Sequence, residues 1–170
     1  MDRIDPKDIG HDFLEAVGLL AIEWTRTEEL VGDCARRILG LERVDGWAAV
    51  THIPLRQRFD IILSILSVHG ASDFDWVADL KRCINDIYDV LRVERNDFIH
   101  GIVERFGVGE ATVGMSIGFT QVTRSARKKL NIDRKPLSTP AINDLIQRIC
   151  AARNTFETIG DRAVKYITSL

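Results

Sequence analysis

The 170-residue chain predicts a mainly all-α fold, a four-to-five-helix up-and-down bundle with a β-hairpin inserted between the third and fourth long helices. Three observations predict it. Long segments carry apolar residues at alternating steps of three and four, the stripe that a bundle helix buries. Most of the connections are modest, which packs successive helices as antiparallel neighbours. One segment alternates with a period of two instead, and it stands between the third and fourth stripes.

The first helix is expected from about Asp12 to Leu39. Phe13, Val17, Leu20, Trp24, Val31, Cys34 and Ile38 form its stripe, and Thr27, beside Glu28 and Glu29, is the polar break. Gly40 closes it, as a C-terminal glycine commonly does. Residues 40–54, with Asp45-Gly46, Trp47 and Pro54, read as a loop that Trp47 anchors to the bundle. Pro54 suits the first turn of a helix over Leu55 to His69. Leu55, Phe59, Ile62 and Leu66 mark one face of it, and Ile61 and Ile65 widen that face toward a second packing side. Gly70-Ala71-Ser72 ends this helix, and Ser72 or Asp73 caps the next.

The third helix is expected from Asp73 to Ile99, on Val77, Leu80, Ile84, Ile87, Leu91 and Phe98, with Glu94 as its polar break. Ile102–Phe106 and Thr112–Thr120, joined by Gly107-Val108-Gly109-Glu110, read as the hairpin; Val113, Met115, Ile117 and Phe119 share one face. Thr139 is the expected N-cap, with Pro140 at the first helical position. The last helix then runs to about Ile167, with Ile142, Leu145, Ile149, Ala152, Phe156, Ile159, Ala163, Tyr166 and Leu170 at heptad spacing. No repeat, low-complexity stretch or linker interrupts this pattern, so residues 1–170 read as a single domain.

Composition narrows the function classes. Apolar residues make up 45% and charged residues 28%, ordinary for a globular protein. A formal net charge of −2 excludes a generally basic nucleic-acid coat while leaving a local patch open. Such a patch is Arg124, Arg127, Lys128, Lys129, Arg134 and Lys135, set against the acid Asp133; it reads as a solvated surface or as an RNA-positioning one. Cys34, Cys83 and Cys150 sit in helical patterns with no CxxC or Cys/His spacing, so they read as core residues in a reducing compartment, with no metal. The acidic start, Met1 to Pro6, lacks an apolar leader core, and no apolar run approaches the roughly 20 residues that cross a bilayer. The expected location is cytoplasmic. No Ser/His/Asp spacing, GxGxxG or Walker loop appears, and no cofactor is expected. His11, His52 and His69 are isolated and read as structural or surface residues.

The chemistry-bearing stretch is Leu91-Arg92-Val93-Glu94-Arg95-Asn96-Asp97-Phe98-Ile99-His100-Gly101, the end of the third helix. At 100° per residue, Asn96 and His100 fall on nearly one face, whereas Arg95 and His100 diverge by roughly 140°. Arg95 falls at the edge of the apolar stripe and needs acceptors there; Glu94, Glu28 and Glu29 are the candidates. On residues alone, the stretch reads as a structural ion pair plus a histidine favoured by the helix C-terminal dipole. Arg153-Asn154 repeats the Arg-Asn pair on a helix without a following histidine, and reads as surface.

Arg95-Asn96-x-x-x-His100 resembles the R-x4-6-H motif, with Asn after Arg, of the HEPN superfamily (higher eukaryotes and prokaryotes nucleotide-binding domains). Its place at the end of a third long helix and the glycine after the histidine extend the likeness to most of the chain. The resemblance implies a metal-independent endoribonuclease acting as a homodimer, related to defence or toxin–antitoxin systems, with Arg95, Asn96 and His100 as catalytic residues. It equally implies an alternative, a non-catalytic nucleotide- or RNA-binding or protein-interaction module in which these residues are structural. Toxins paired with a nucleotidyltransferase antitoxin often carry a tyrosine shortly after the histidine; Gly101-Ile102-Val103 stands there instead and argues against that partner.

Overall fold

The computed structural model describes residues 10–100, 102–105, 117–124 and 130–170, with side chains over 10–99 and 138–170. The described chain is mostly helical. Its elements are α1 (His11–Ile38), α2 (Arg43–Thr51), α3 (Leu55–Val68), α4 (Asp75–Asn85), a π-helical segment (Asp86–Leu91), α5 (Arg92–His100), β1 (Ile102–Arg105), β2 (Ile117–Arg124), β3 (Leu130–Leu137) and α6 (Thr139–Thr168). No helix among the described residues is long and apolar enough to cross a membrane.

The backbone divides into two compact units. One holds the described residues of Met1–Ile22 and Arg92–Gln147, the other Glu23–Leu91 and Arg148–Leu170.

In the second of these, the helical stripes become a core. Trp24, Val31, Cys34 and Ile38 of α1, Phe59, Ile62 and Leu66 of α3, Val77, Leu80 and Ile84 of α4, and Phe156 and Ala163 of α6 are all buried. Phe59 and Phe156 meet edge to face with ring centroids 5.7 Å apart, an arrangement that satisfies the ring quadrupoles as well as burying area. Hydrophobic burial at roughly 25 cal/mol per Å² drives this packing, and periodicity alone was enough to find most of its members. Leu170, at the far end of the expected heptad run, is exposed instead, because α6 stops at Thr168.

Glycines set two of the helix ends. Gly40 (φ 66°) and Gly70 (φ 76°) adopt left-handed backbone, which costs a residue with a Cβ but not glycine. At each end one amide reaches back five residues, Leu41 N–H to Arg36 O (3.2 Å) and Ala71 N–H to Leu66 O (2.9 Å), which absorbs carbonyls that the helix leaves unbonded.

Three local expectations are corrected. Residues 40–54 are not simply a loop, since α2 occupies most of them. Phe74, not Ser72 or Asp73, holds the N-cap position of α4, and it makes no side-chain cap. The cap of α6 is one residue earlier than Thr139: Ser138 Oγ accepts the Ala141 N–H at 3.3 Å.

In the first unit, Phe13, Ala16, Leu20, Ile142, Leu145 and Ile146 are buried. β1, β2 and β3 pair antiparallel in that order, with Ile102 opposite Thr120, Ile117 opposite Leu137 and Arg124 opposite Leu130. The expected turn, 107–110, and the first part of the alternating run, 112–116, lie outside the described residues.

Candidate functional site

α5 carries the motif as a regular α-helix from Arg92 to His100. Arg95 and Asn96 are both half-buried, and the Arg95 Nη1–H donates to Asn96 Oδ1 at 3.0 Å. Residues adjacent along a helix point about 100° apart, so this bond folds the guanidinium across the helix surface and ties both side chains into one polar group. The Arg95 Nε is itself buried, a costly place for part of a cation. His100 closes α5, and β1 begins at Ile102.

Directly before this helix the chain runs through six π-helical residues, Asp86–Leu91. A π turn takes one residue more per hydrogen-bonded ring than an α turn, and such segments recur at functional positions. Angular counting carried across it at 100° per residue therefore slips. The 40° between Asn96 and His100 and the 140° between Arg95 and His100 hold, because both are measured within α5.

Of the basic residues, Arg124 ends β2, and Arg134 and Lys135 lie in β3, opposite Thr120 and Phe119. The register puts Arg124 and Arg134 on one face of the sheet and Lys135 on the other, since neighbours along a strand alternate. Arg127, Lys128 and Lys129 lie outside the described residues.

The other unit holds a polar cluster that the sequence reading passes over. Glu23 of α1 is only 6% exposed, and it receives hydrogen bonds from Arg153 Nη1 of α6, from Arg26 Nη1, and from Cys150 Sγ at 3.4 Å. Burial on its own would raise its pKa; the bonds from Cys150, Arg153 and Arg26 outweigh that and bring it below the ordinary carboxylate value. Arg153 is thus half-buried and ion-paired, which overturns its reading as plain surface, while Asn154 is exposed as expected. A signal for Glu23 existed: it stands between Leu20 and Thr27 at steps of three and four, inside the buried arc of α1.

Thr27, the polar break expected in α1, is satisfied within its own helix, its hydroxyl donating to Glu23 O at 2.9 Å. Glu28 accepts from Trp24 Nε1 at 2.8 Å. Arg58 is another structural cation. Its Nε, Nη1 and Nη2 donate to the carbonyls of Ile53, Glu28 and Thr51 at 2.8, 2.9 and 3.0 Å, binding the chain after α2 to α1 and α3.

Burial pushes the Cys34 thiol up to about 12 and the Cys83 thiol up to about 11. Burial and the Glu23 carboxylate raise Cys150 as well. None of the three has the lowered pKa of a nucleophilic cysteine. Among the described residues, no group of three or more His, Cys, Asp and Glu side chains could hold a metal.

Comparison with family models, with curated proteins and with solved structures finds no match to this chain.

Proposed function

We propose that the chain is a HEPN-like endoribonuclease, one helical domain in the bundle class with its β segment inserted ahead of the last helix, working as a homodimer through Arg95, Asn96 and His100. The observation that carries this reading is the Arg95–Asn96 side-chain bond on a regular α5 that continues to His100. That bond ties the guanidinium proposed to hold the phosphate to Asn96, whose position is four residues, about one helical turn, before His100.

The chemistry needs no metal. The 2′-hydroxyl oxygen of RNA attacks the adjacent phosphorus and the bond to the 5′-oxygen breaks, leaving a 2′,3′-cyclic phosphate and a 5′-hydroxyl. One proton leaves the attacking hydroxyl and another reaches the departing oxygen. An imidazole can do either, since it titrates near neutrality, but not both in one step. His100 and His100 of the partner subunit would divide the two roles in a shared cleft of a two-fold dimer. Arg95 would neutralise the phosphorane with its planar donors, and Asn96 would orient the phosphate or the imidazole. Arg124, Arg127, Lys128, Lys129, Arg134 and Lys135 would contact backbone phosphates, so binding would weaken as salt rises.

The test is cleavage of a mixed-sequence RNA in excess chelator by the native chain and by His100→Ala. The native chain is expected to cut and the variant to lose at least about a hundredfold in rate, as removal of an acid–base group does, with an unchanged circular dichroism spectrum. Equal cutting by both removes His100 from the mechanism.

One observation favours the second reading, a non-catalytic binding or interaction module: the buried Nε of Arg95 belongs to a residue that the fold itself uses. On that reading Arg95→Ala lowers the melting temperature by several degrees and no RNA is cut by any form of the protein.

A further inference from the structure

Apart from the α5 motif, and independent of its reading, the start of α4 and the end of α6 line a shallow, open cavity of about 480 Å³. Its walls are Phe74, Trp76, Arg162, Lys165, Tyr166 and Ser169, all within the unit of Glu23–Leu91 and Arg148–Leu170. The three rings form one cluster. Phe74 stacks on Trp76 with an interplanar angle of 18° and a centroid distance of 6.1 Å, and meets Tyr166 edge to face at 5.6 Å. The Arg162 guanidinium stands 5.4 Å from the Trp76 centroid. Tyr166 is fixed from its far end, its hydroxyl donating to His69 O at 2.7 Å.

Two features of this cluster are not explained by stability. Phe74 occupies a helix N-cap position, where a short polar side chain would satisfy a backbone amide, and it satisfies none. The residue is also 45% exposed, so part of it stays open to solvent beside its contacts with Trp76 and Tyr166. The second feature is charge. Among the described residues no carboxylate forms an ion pair with Arg162 or Lys165, and no acidic residue lines the cavity, although Asp73 and Asp75 flank Phe74 in sequence. A partly exposed aromatic face beside Lys165 and the Trp76-stacked Arg162 is complementary to a planar ring that carries an anion. The volume falls in the range of small-ligand sites.

We propose that this cavity binds a nucleotide, its base stacked on Phe74 and its phosphate held by Arg162 and Lys165. Every nucleobase presents a π face, so stacking of this kind recognises the class and not one base. The guanidinium supplies paired donors to phosphate oxygens, and the ammonium a mobile point charge. The same chemistry is offered by a free nucleotide and by one nucleotide of a single strand.

Titration of the full chain separates these sources. Tryptophan fluorescence follows AMP and inorganic phosphate, and anisotropy follows a labelled oligodeoxyadenylate of about twelve nucleotides, a length spanning one such site; it lacks the 2′-hydroxyl and survives any ribonuclease activity. Saturable AMP binding supports a free-nucleotide site, and oligonucleotide binding without AMP binding supports a single-strand site. In either case Phe74→Ala and Lys165→Gln weaken the affinity by about tenfold, consistent with the worth of one stacked base, and Phe74→Tyr preserves it. Circular dichroism verifies that each variant is folded. Absence of binding by both probes, inorganic phosphate binding as tightly as AMP, or affinities unmoved by Phe74→Ala and Lys165→Gln would each overturn the proposal.

Discussion

Glu23 keeps its charge inside a helical unit because three donors converge on it, from Arg153, Arg26 and Cys150. Replacing it with glutamine leaves Arg153 half-buried without its anion. The expected loss at neutral pH is about 2–3 kcal/mol, below the full value for a dry pair since Arg153 retains some water. In a chain of this size that lowers the melting temperature by roughly 4–12 °C. The pH dependence has a definite sign. The folded-state pKa lies below the ordinary value of 4.5, so the ionised group's stabilisation is complete above that pH and fades as pH falls through the folded value. Melting curves of the native chain and Glu23→Gln should therefore converge as pH falls below about 4.5; a constant gap would show that the carboxylate's charge is not what stabilises the site. This cluster was invisible along the chain because Glu23 and Arg153 are 130 residues apart. Glu23 alone shows only that it lies in the buried arc of α1, and Arg153 alone looks like a routine surface charge; the pairing is set by their meeting.

At the scale of elements, α2 shows tertiary contact overriding local signals. Asp45-Gly46 suggests a turn, and glycine in a helix costs about 1 kcal/mol relative to alanine. Yet Gly46 is buried inside α2, and a Cβ there would lie 2.8 Å from Leu41 Cβ and 2.6 Å from Arg36 Cγ. Arg36 has little freedom to withdraw, being bonded to Leu41 O at 2.7 Å and to Asp33. Close approach therefore dictates glycine where propensity would favour alanine. Gly46→Ala should destabilise the protein by about 1–3 kcal/mol in spite of its better helix propensity. The midpoint of urea unfolding reads this directly, and an increase in the midpoint would refute the close-approach argument. The π segment was likewise beyond reach of the sequence, since no residue pattern in Asp86–Leu91 distinguishes a wide turn from an ordinary one.

Over the whole chain, the three cysteines report on packing. Cys34 donates toward Gly160 O, Cys83 toward Ala152 O and Cys150 toward Glu23, and all three thiols are raised in pKa. Thiolate is the reacting form, so a disulfide reagent at about pH 8 should label the folded protein slowly, Cys150 first because it is the least buried, and label all three promptly in denaturant. Fast labelling of Cys34 in the folded state would mean that α1 and α6 separate readily where they carry Cys34 and Gly160. The core placement expected of all three holds for Cys34 and Cys83, whereas Cys150 is half-buried.

The sequence by itself determined the helical class, the buried stripes and the glycine ends. Those follow from hydrophobic periodicity and backbone sterics, which act over a few residues and are written locally. Arg95, Asn96 and His100 form a group only through the resemblance of their pattern to the HEPN motif, since helical spacing by itself sets Arg95 and His100 roughly 140° apart. Tertiary structure alone decided that Arg153 pairs with Glu23, that Gly46 must be glycine, and that Phe74 keeps an open ring beside Arg162 and Lys165. Each of these depends on which side chains meet across helices distant in the chain. An ion pair, a steric contact or a stacking face is a property of two surfaces, and neither surface alone encodes it.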